Sequence, residues 1–401
     1  MMAALCAAQR GARVILLEQL SRVGRKLLAT GGGRCNLTNR QPLAQLLQSY
    51  NAPASFVRPA LKAFGPQALV RFFEQLGLAI DFPDGHHGYP ASGRAGDVLT
   101  VLFRHVNACG VQVHTATRVE SLMVEAGRVV GVVSSAGEFA ADAVIIAAGG
   151  SSYPSLGSDG SGYGLARGAG HRVVTPVTGL VGLEVEERWP ARCAGLSLTD
   201  AQVHGEGGEK GARCRGGVLF THRGLSGPAV LNLSAQLSRR LLDEKRVVLR
   251  LRPLAAMGRE QWMGQFELWR REVGSKGLCS ALSTLLPSKL AVELCTLTGV
   301  ASTRRVGELT KAERGVLLEA LAEGIVLHVN GAGGFDNAMV TAGGVDCTQV
   351  DSATMQSRLV EGLFFCGEVL DVDGPCGGYN LQWAFASGFC AGTHVLSSIE
   401  G

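Results

Sequence analysis

The sequence lacks any stretch close to the roughly 20 consecutive apolar residues that span a bilayer, so the 401 residues predict no membrane helix. Eleven cysteines include no C-x-x-C pair and are odd in number. That argues against a disulfide framework and fits a reducing, cytoplasmic setting. Lys and Arg number 38 against 34 Asp and Glu, a formal charge of +4. No basic run exceeds a pair, so composition makes no case for nucleic acid, although it is compatible with a modest RNA surface. The opening Met1 to Ala8 carries no basic residue of the kind a signal peptide begins with. There is no P-loop and no nucleophile elbow. His86 and His87 have neither carboxylate nor cysteine at metal spacing, so no metal site is expected. Finally, the chain holds no complete G-x-G-x-x-G, the turn that opens the first helix of a dinucleotide-binding unit.

Glycine, by contrast, is abundant: 55 residues, about twice the ordinary share. The glycines sit in short clusters between apolar strands, as in a cofactor-binding α/β protein of two or three domains. The only run of three consecutive glycines lies in residues 24–39, which read GRKLLATGGGRCNLTN. Three consecutive glycines, Gly31 to Gly33, let the backbone approach a flat or phosphorylated ligand with no Cβ in the way. Arg25, Lys26 and Arg34 bring positive charge to the same segment. Just before it, Arg13 to Glu18 reads as a buried strand ending in an acid. An acid at the end of the second strand of a Rossmann unit holds a ribose diol; the bland alternative is a surface acid. Residues 2–11 read as the later part of a first helix closing at Gly11.

Helical periodicity predicts helices over Phe56 to Phe64, Pro66 to Leu76 and Gly96 to Cys109. Ala79 to Phe82 and Val111 to Thr115 read as strands. A meander follows over Arg118 to Val124, Val129 to Ser134 and Glu138 to Ala148. Near Pro176 the composition changes. Short β-like runs extend from Val181 to Arg252, with one helix-like stretch from Leu225 to Leu242. Ala256 to Glu323 looks helical, with Trp262, Phe266 and Trp269 spaced as a core stripe, and Ile325 to Asn330 returns to strand. At the C-terminus, Leu363 to Glu368 is an apolar strand entering a Gly-Glu turn. Gly377, Gly378, Tyr379 and Asn380 then open a final helix. Its free N–H groups and partial positive charge would suit an electron-rich edge of a bound ligand; the bland alternative is a capped helix after a glycine turn.

The segments 24–39, 144–171, 216–234 and 363–388 resemble the motifs of the HI0933-like flavoproteins, a branch of the FAD enzymes with two dinucleotide-binding domains. The resemblance implies an α/β fold: a glutathione-reductase-type FAD-binding Rossmann domain carrying an inserted β-barrel-like and helical domain. It divides the chain into residues 1–176 (FAD-binding domain, first part), 177–255 (β-rich insert), 256–337 (helical insert and return strand) and 338–401 (FAD-binding domain, C-terminal part). It puts Glu18 on the ribose and Arg25 and Lys26 near the pyrophosphate. Gly32, Gly33, Arg34 and Asn36 then fall beside the isoalloxazine, and Val119 at the adenine. Gly149 falls where the chain returns to the cofactor, Gly367 and Glu368 near the ribityl-phosphate, and Gly378, Tyr379 and Asn380 at the pyrimidine edge. Relative to that family the first strand and glycine fingerprint are missing. The expectation is an N-terminal truncation, with FAD bound poorly by residues 1–401 alone and well by a chain extended upstream.

Functionally, the resemblance implies an FAD-dependent oxidoreductase passing hydride from reduced flavin to an activated C=C, with NAD(P)H as reductant. Alternatives are a ribosomal RNA dihydrouridine synthase, an aminoacetone-type amine oxidase and a non-catalytic truncated flavoprotein. The partner is then a small molecule or rRNA, and nothing points to an obligate protein partner. The catalytic acid is unassigned. His171 and His222 are candidate proton donors, and Cys35 with Cys376 a less favoured redox pair.

Overall fold

The computed structural model describes residues 1–207 and 213–396. The remaining parts of the expected β-rich insert (208–212) and C-terminal segment (397–401) lie outside the described residues. By internal contacts the chain forms two units, Met1–Val177 with Phe335–Gly401, and Thr178–Gly334.

The first unit opens with α1 (Met2–Gln9), whose Met2, Ala3, Leu5, Cys6 and Ala7 are buried. β1 (Ile15–Leu17) follows. Residues 24–39 are more structured than the loop their composition suggests. Gly24 sits at φ 73° and starts a short α2 (Arg25–Ala29), which passes into a 3-10 turn over Thr30–Gly33. Next come β2 (Thr38–Asn39), α3 (Leu43–Ser49), α4 (Ala54–Ala63) and α5 (Pro66–Gln75). Then follow β3 (Ile80–Asp81), β4 (His87–Pro90), α6 (Ala95–Ala108) and β5 (Gln112–His114). β5 pairs parallel with β1, and β2, β4 and β3 form a small antiparallel sheet. The meander is β6 (Val119–Glu125), β7 (Arg128–Ser134) and β8 (Gly137–Ala140).

The strand expected over Glu138 to Ala148 is in fact two. The last meander bond runs from Ala141 N–H to the Val130 carbonyl. The chain then leaves that sheet and enters β9 (Val144–Ile146). Two ladders with different partners cannot share one continuous strand, so the small residues 141–143 become the crossing. α7 (Ser161–Gly168) and β10 (Val173–Gly179) complete this half.

The second unit is built on a closed six-stranded barrel. Its members are β11 (Leu183–Val185), β12 (Ser197–Gly205), β13 (Arg213–Phe220), β14 (Gly224–Ser226), β15 (Val247–Arg252) and β16 (Ile325–Ala332). Alternation sets the inner face: Val247, Leu249 and Leu251 are buried and their neighbours are not. The helix expected from Leu225 begins later, as α9 (Pro228–Arg240), after α8 (Trp189–Arg192) earlier in the unit. Leu225 and Ser226 are needed in β14. Gly227 turns the chain at φ 92°, and Pro228 takes the first helical position, where a missing N–H costs nothing. Between β15 and β16 lie α10 (Arg259–Glu272), α11 (Leu278–Leu282), α12 (Ser288–Thr298) and α13 (Lys311–Leu318). Trp262, Phe266 and Trp269 of α10 are buried in a core this unit has to itself.

The chain returns to the first unit through β17 (Val340–Val345) and β18 (Leu363–Phe365), which pairs parallel with β9. α14 (Tyr379–His394) ends the described chain. It packs on α1, where Gly388 and Gly392 leave room: a Cβ on Gly392 would strike the Ala3 backbone. No helix among the described residues is long and apolar enough to cross a membrane.

Candidate functional site: an exposed glycine loop in the first unit

Gly31 and Gly32 hold left-handed backbone, at φ 57° and 65°, and Gly33 lies at φ 87°. All three are exposed, and a Cβ on Gly32 or Gly33 would meet nothing within 4 Å. The loop therefore presents bare peptide to open space. Arg34 is exposed too, its guanidinium 5.0 Å from the Tyr89 ring centroid. Arg25 is exposed at the start of α2.

Asn36 joins this loop to the C-terminal helix. With its amide oriented to satisfy its neighbours, it donates to the carbonyls of Thr38 (3.0 Å) and Gly88 (3.3 Å) and accepts from Gly378 N–H (3.3 Å). Gly378 precedes α14 at φ 90°, where a Cβ would run into the Thr38 carbonyl. Only glycine brings the helix start this close to β2. No side chain caps α14, so the first N–H groups of the helix keep their partial positive charge. Asn380 does not reach outward. Its side chain accepts from Gly374 N–H (2.9 Å) and donates to the Gly374 carbonyl (2.9 Å), fixing the 374–378 loop. Tyr379 is buried, with its carbonyl accepting from the Tyr50 hydroxyl (2.8 Å). Of the expected trio at the pyrimidine edge, Gly378 packs against Thr38 and Asn36, Tyr379 is buried and the Asn380 side chain bonds within the 374–380 loop.

Lys26 and Glu368 come from opposite ends of the sequence and form an ion pair. Lys26 also donates to Ser152 Oγ (2.8 Å). Glu368 accepts from Ser152 Oγ (3.0 Å) and from Thr341 N–H (2.7 Å). Gly367, at φ 78°, is held by Ser387 Oγ, which accepts its N–H at 2.9 Å. Gly149, at φ 77°, lies between the groups: a Cβ there would sit 2.6 Å from Ser158 Oγ and 3.9 Å from Glu368 Oε2.

The same 149–160 loop leads to Glu18. Gln19 Nε2 donates to the Gly157 carbonyl (2.7 Å), and a Cβ on Gly157 would lie 3.7 Å from Glu18 Oε1. Glu18 Oε1 accepts from Leu20 N–H (2.9 Å). Arg118, next to Val119, donates to Gln19 and to Asp159 (both 2.6 Å). The structure thus groups Glu18 and Val119 at one end of the loop and Gly149, Lys26, Gly367 and Glu368 at the other.

A family model for the HI0933-like protein Rossmann domain matches residues 1–394. The chain belongs to the HI0933-like family. It is 37% identical to a 3-dehydro-bile acid delta(4,6)-reductase of Clostridium scindens, over 95% of this chain and 92% of that protein. It is 30% identical to a ribosomal RNA dihydrouridine synthase of Escherichia coli, over 98% and 94%. Among solved structures, an E. coli quinol fumarate reductase chain covers all of this chain with 68% of its own length, at a TM-score of 0.51 and 16% identity. That likeness concerns the fold.

As an HI0933-like flavoprotein the chain takes a flavin. The exposed glycine loop, with no atom within 4 Å of a Cβ on Gly32 or Gly33, has room for a flat ring, and Arg25 is an exposed cation beside it, while Lys26 is paired with Glu368. The cysteines give no dithiol: all eleven are free. Burial pushes the Cys35 thiol up to about 11 and raises that of Cys376, which disfavours the reactive thiolate. His171 is 3% exposed, bonded to Ser357 Oγ (2.9 Å) and packed on Phe365, and burial lowers its pKa. Burial thus favours its neutral form. His222 is exposed between β13 and β14.

One pair escaped the sequence reading. Asp84 carries a carboxylate onto His87 Nδ1. The signal was there as an acid three residues before a histidine, in a turn where Asp84 Oδ1 accepts the N–H groups of His86 (3.0 Å) and His87 (2.8 Å). Among the described residues no group of three metal-binding side chains exists.

Proposed function

We propose that this flavoprotein is an FAD-dependent reductase of electron-poor C=C bonds in small molecules, with NAD(P)H as the reductant. The observation that carries the reading is the likeness over almost its whole length to a 3-dehydro-bile acid delta(4,6)-reductase, together with the exposed loop of three glycines. Bound and reduced, FAD supplies a hydride. The chain's own part is to hold and polarise. Gly31 to Gly33 leave one face clear, and the start of α14 places positive potential beside developing negative charge. Glu18, Arg25 and Lys26 hold the nucleotide end, and the Lys26–Glu368 pair ties α2 to the C-terminal segment.

The relatives named for rRNA dihydrouridine support a second reading, in which the reduced C=C belongs to a uridine. Anaerobic mixing of the FAD-loaded protein with NAD(P)H, then with a 3-oxo-4-ene steroid or a uridine-containing rRNA fragment, separates them. Reoxidation of the flavin by the enone supports the leading reading. Reoxidation by RNA alone, with dihydrouridine missing from a deletion strain, replaces it. Peroxide formation with aminoacetone and no reaction with either acceptor would make it an amine oxidase instead.

A further inference from the structure

We infer that His87, oriented by Asp84, is the proton donor that completes reduction of the C=C. This inference rests on the reductase reading above.

The argument begins with placement. His87 opens β4, and in the β2–β4 ladder it stands opposite Asn39. Asn39 Nδ2 donates to the Gly377 carbonyl (3.0 Å), which anchors the loop leading into α14 on the edge strand β2 of this sheet. His87 Nε2 then faces Gly377 directly: a Cβ on that glycine would lie 2.6 Å from it. The same strand β4 carries Tyr89, whose ring a Cβ on Gly31 would approach at 3.9 Å. The imidazole is thus fixed against the loop leading into α14, two residues from the side chain that borders Gly31.

Orientation comes next. Asp84 engages Nδ1 through one carboxylate oxygen and caps two backbone N–H groups with the other. Those bonds, the His87 side chain's first among them, hold the Asp84 carboxyl well below its usual range. It stays an acceptor, so Nδ1 keeps a hydrogen and Nε2 is the nitrogen that exchanges protons. The His87 side chain is 33% exposed, which lets water restore the proton after each turnover.

Elimination agrees. Lys26 is committed to Glu368 and Ser152. Cys35 and Tyr379 are buried, and His171 is bonded to Ser357. The charged and titratable groups on the elements around His87 are Asp84 in its own turn, His86 beside it, and Arg34 and Arg40 on the neighbouring segment, stacked on Tyr89 and Phe82.

The step balances as follows. Hydride from reduced flavin forms a C–H bond at the β-carbon, and the flavin ends oxidised by two electrons. The C=C electron pair moves to the α-carbon and takes a proton from Nε2 of the doubly protonated ring. The ring ends neutral and regains a proton from water.

The test uses the FAD-loaded chain and the variants His87→Gln and Asp84→Asn. Anaerobic stopped flow reads flavin reduction by NAD(P)H and reoxidation by an enone separately. With His87→Gln the expected result is unchanged reduction and reoxidation slowed about 10²–10⁴-fold, the contribution typical of general acid catalysis. Asp84→Asn should fall between. A readout free of turnover is ¹⁵N NMR of the unloaded protein: the neutral His87 ring should carry its proton on Nδ1, and Asp84→Asn should abolish that preference. Reoxidation within threefold of wild type in His87→Gln overturns the inference and leaves the reductase reading intact. A neutral ring protonated on Nε2 also overturns it. If wild type reduces no enone, the reductase reading fails and the inference falls with it.

Discussion

Gly32 and Gly378 both hold left-handed backbone, yet for different physical reasons. At Gly32 a Cβ would meet nothing, whereas at Gly378 it would meet the Thr38 carbonyl. Gly32→Ala should therefore cost only the left-handed penalty, about 1–2 kcal/mol, while placing a methyl group where the flat ring would lie. Gly378→Ala should add a backbone clash, for a loss of about 2–5 kcal/mol. Urea unfolding of the unloaded protein checks the stabilities. FAD titration should then show Gly32→Ala weakened more than its stability loss explains. Equal FAD affinity in Gly32→Ala and wild type would remove the glycine wall from the cofactor site. Glu368 is a different case. Its carboxylate accepts from Thr341 N–H, Ser152 and Lys26. Glu368→Ala leaves a backbone donor and an ammonium short of a partner, which should cost about 1–3 kcal/mol, read in the same urea midpoint.

Elements join where side chains from distant segments meet, and Arg118 and Asp159 show how. They tie the start of β6 to the loop preceding α7. Burial raises the Asp159 pKa, but the bonds from Arg118 and Ser161 outweigh it and hold the carboxyl at about 2, below its ordinary 3.8. A carboxyl lowered on folding stabilises the fold above its unfolded value and loses that contribution as pH falls through the folded one. The gap in melting temperature between wild type and Asp159→Asn should therefore be present at pH 7 and close as pH drops from 3.8 to about 2. A gap constant across that range would show the pair to be idle. Element boundaries themselves were legible where periodicity was strong. The helix expected at Pro66 to Leu76 is found at Pro66–Gln75, and that expected at Gly96 to Cys109 at Ala95–Ala108. Partners were not legible. β9 and β18 lie more than two hundred residues apart in sequence, and neither apolar run names the other. The Asp84–His87 pair stayed hidden because it depends on a turn that aims both side chains, which spacing alone does not reveal.

At the scale of the molecule, the informative feature is how the second unit begins and ends. β11 and β16 are antiparallel neighbours, with Leu183 opposite Ala332, and Gly333 N–H donates to the Gly182 carbonyl at 3.0 Å. The strand that leaves for the insert and the strand that returns thus lie side by side. The sequence shows the β-like runs and the helical stretch as successive blocks. It does not show that β16, after some seventy residues of mostly helix, closes the same barrel, because closure depends on hydrogen bonds at barrel edges rather than on any local pattern. Adjacent ends and a separate core are what a chain insertion needs to fold alone. Residues 178–334, expressed by themselves, should give cooperative thermal unfolding that added FAD leaves unmoved. The whole chain should show two calorimetric transitions. Only that of the first unit should rise with FAD, by about 2.7 kcal/mol at a hundred times Kd. One transition that moves as a whole with FAD would mean instead that cofactor binding couples both cores, and the barrel would then have to be counted as part of the flavin site's own stability.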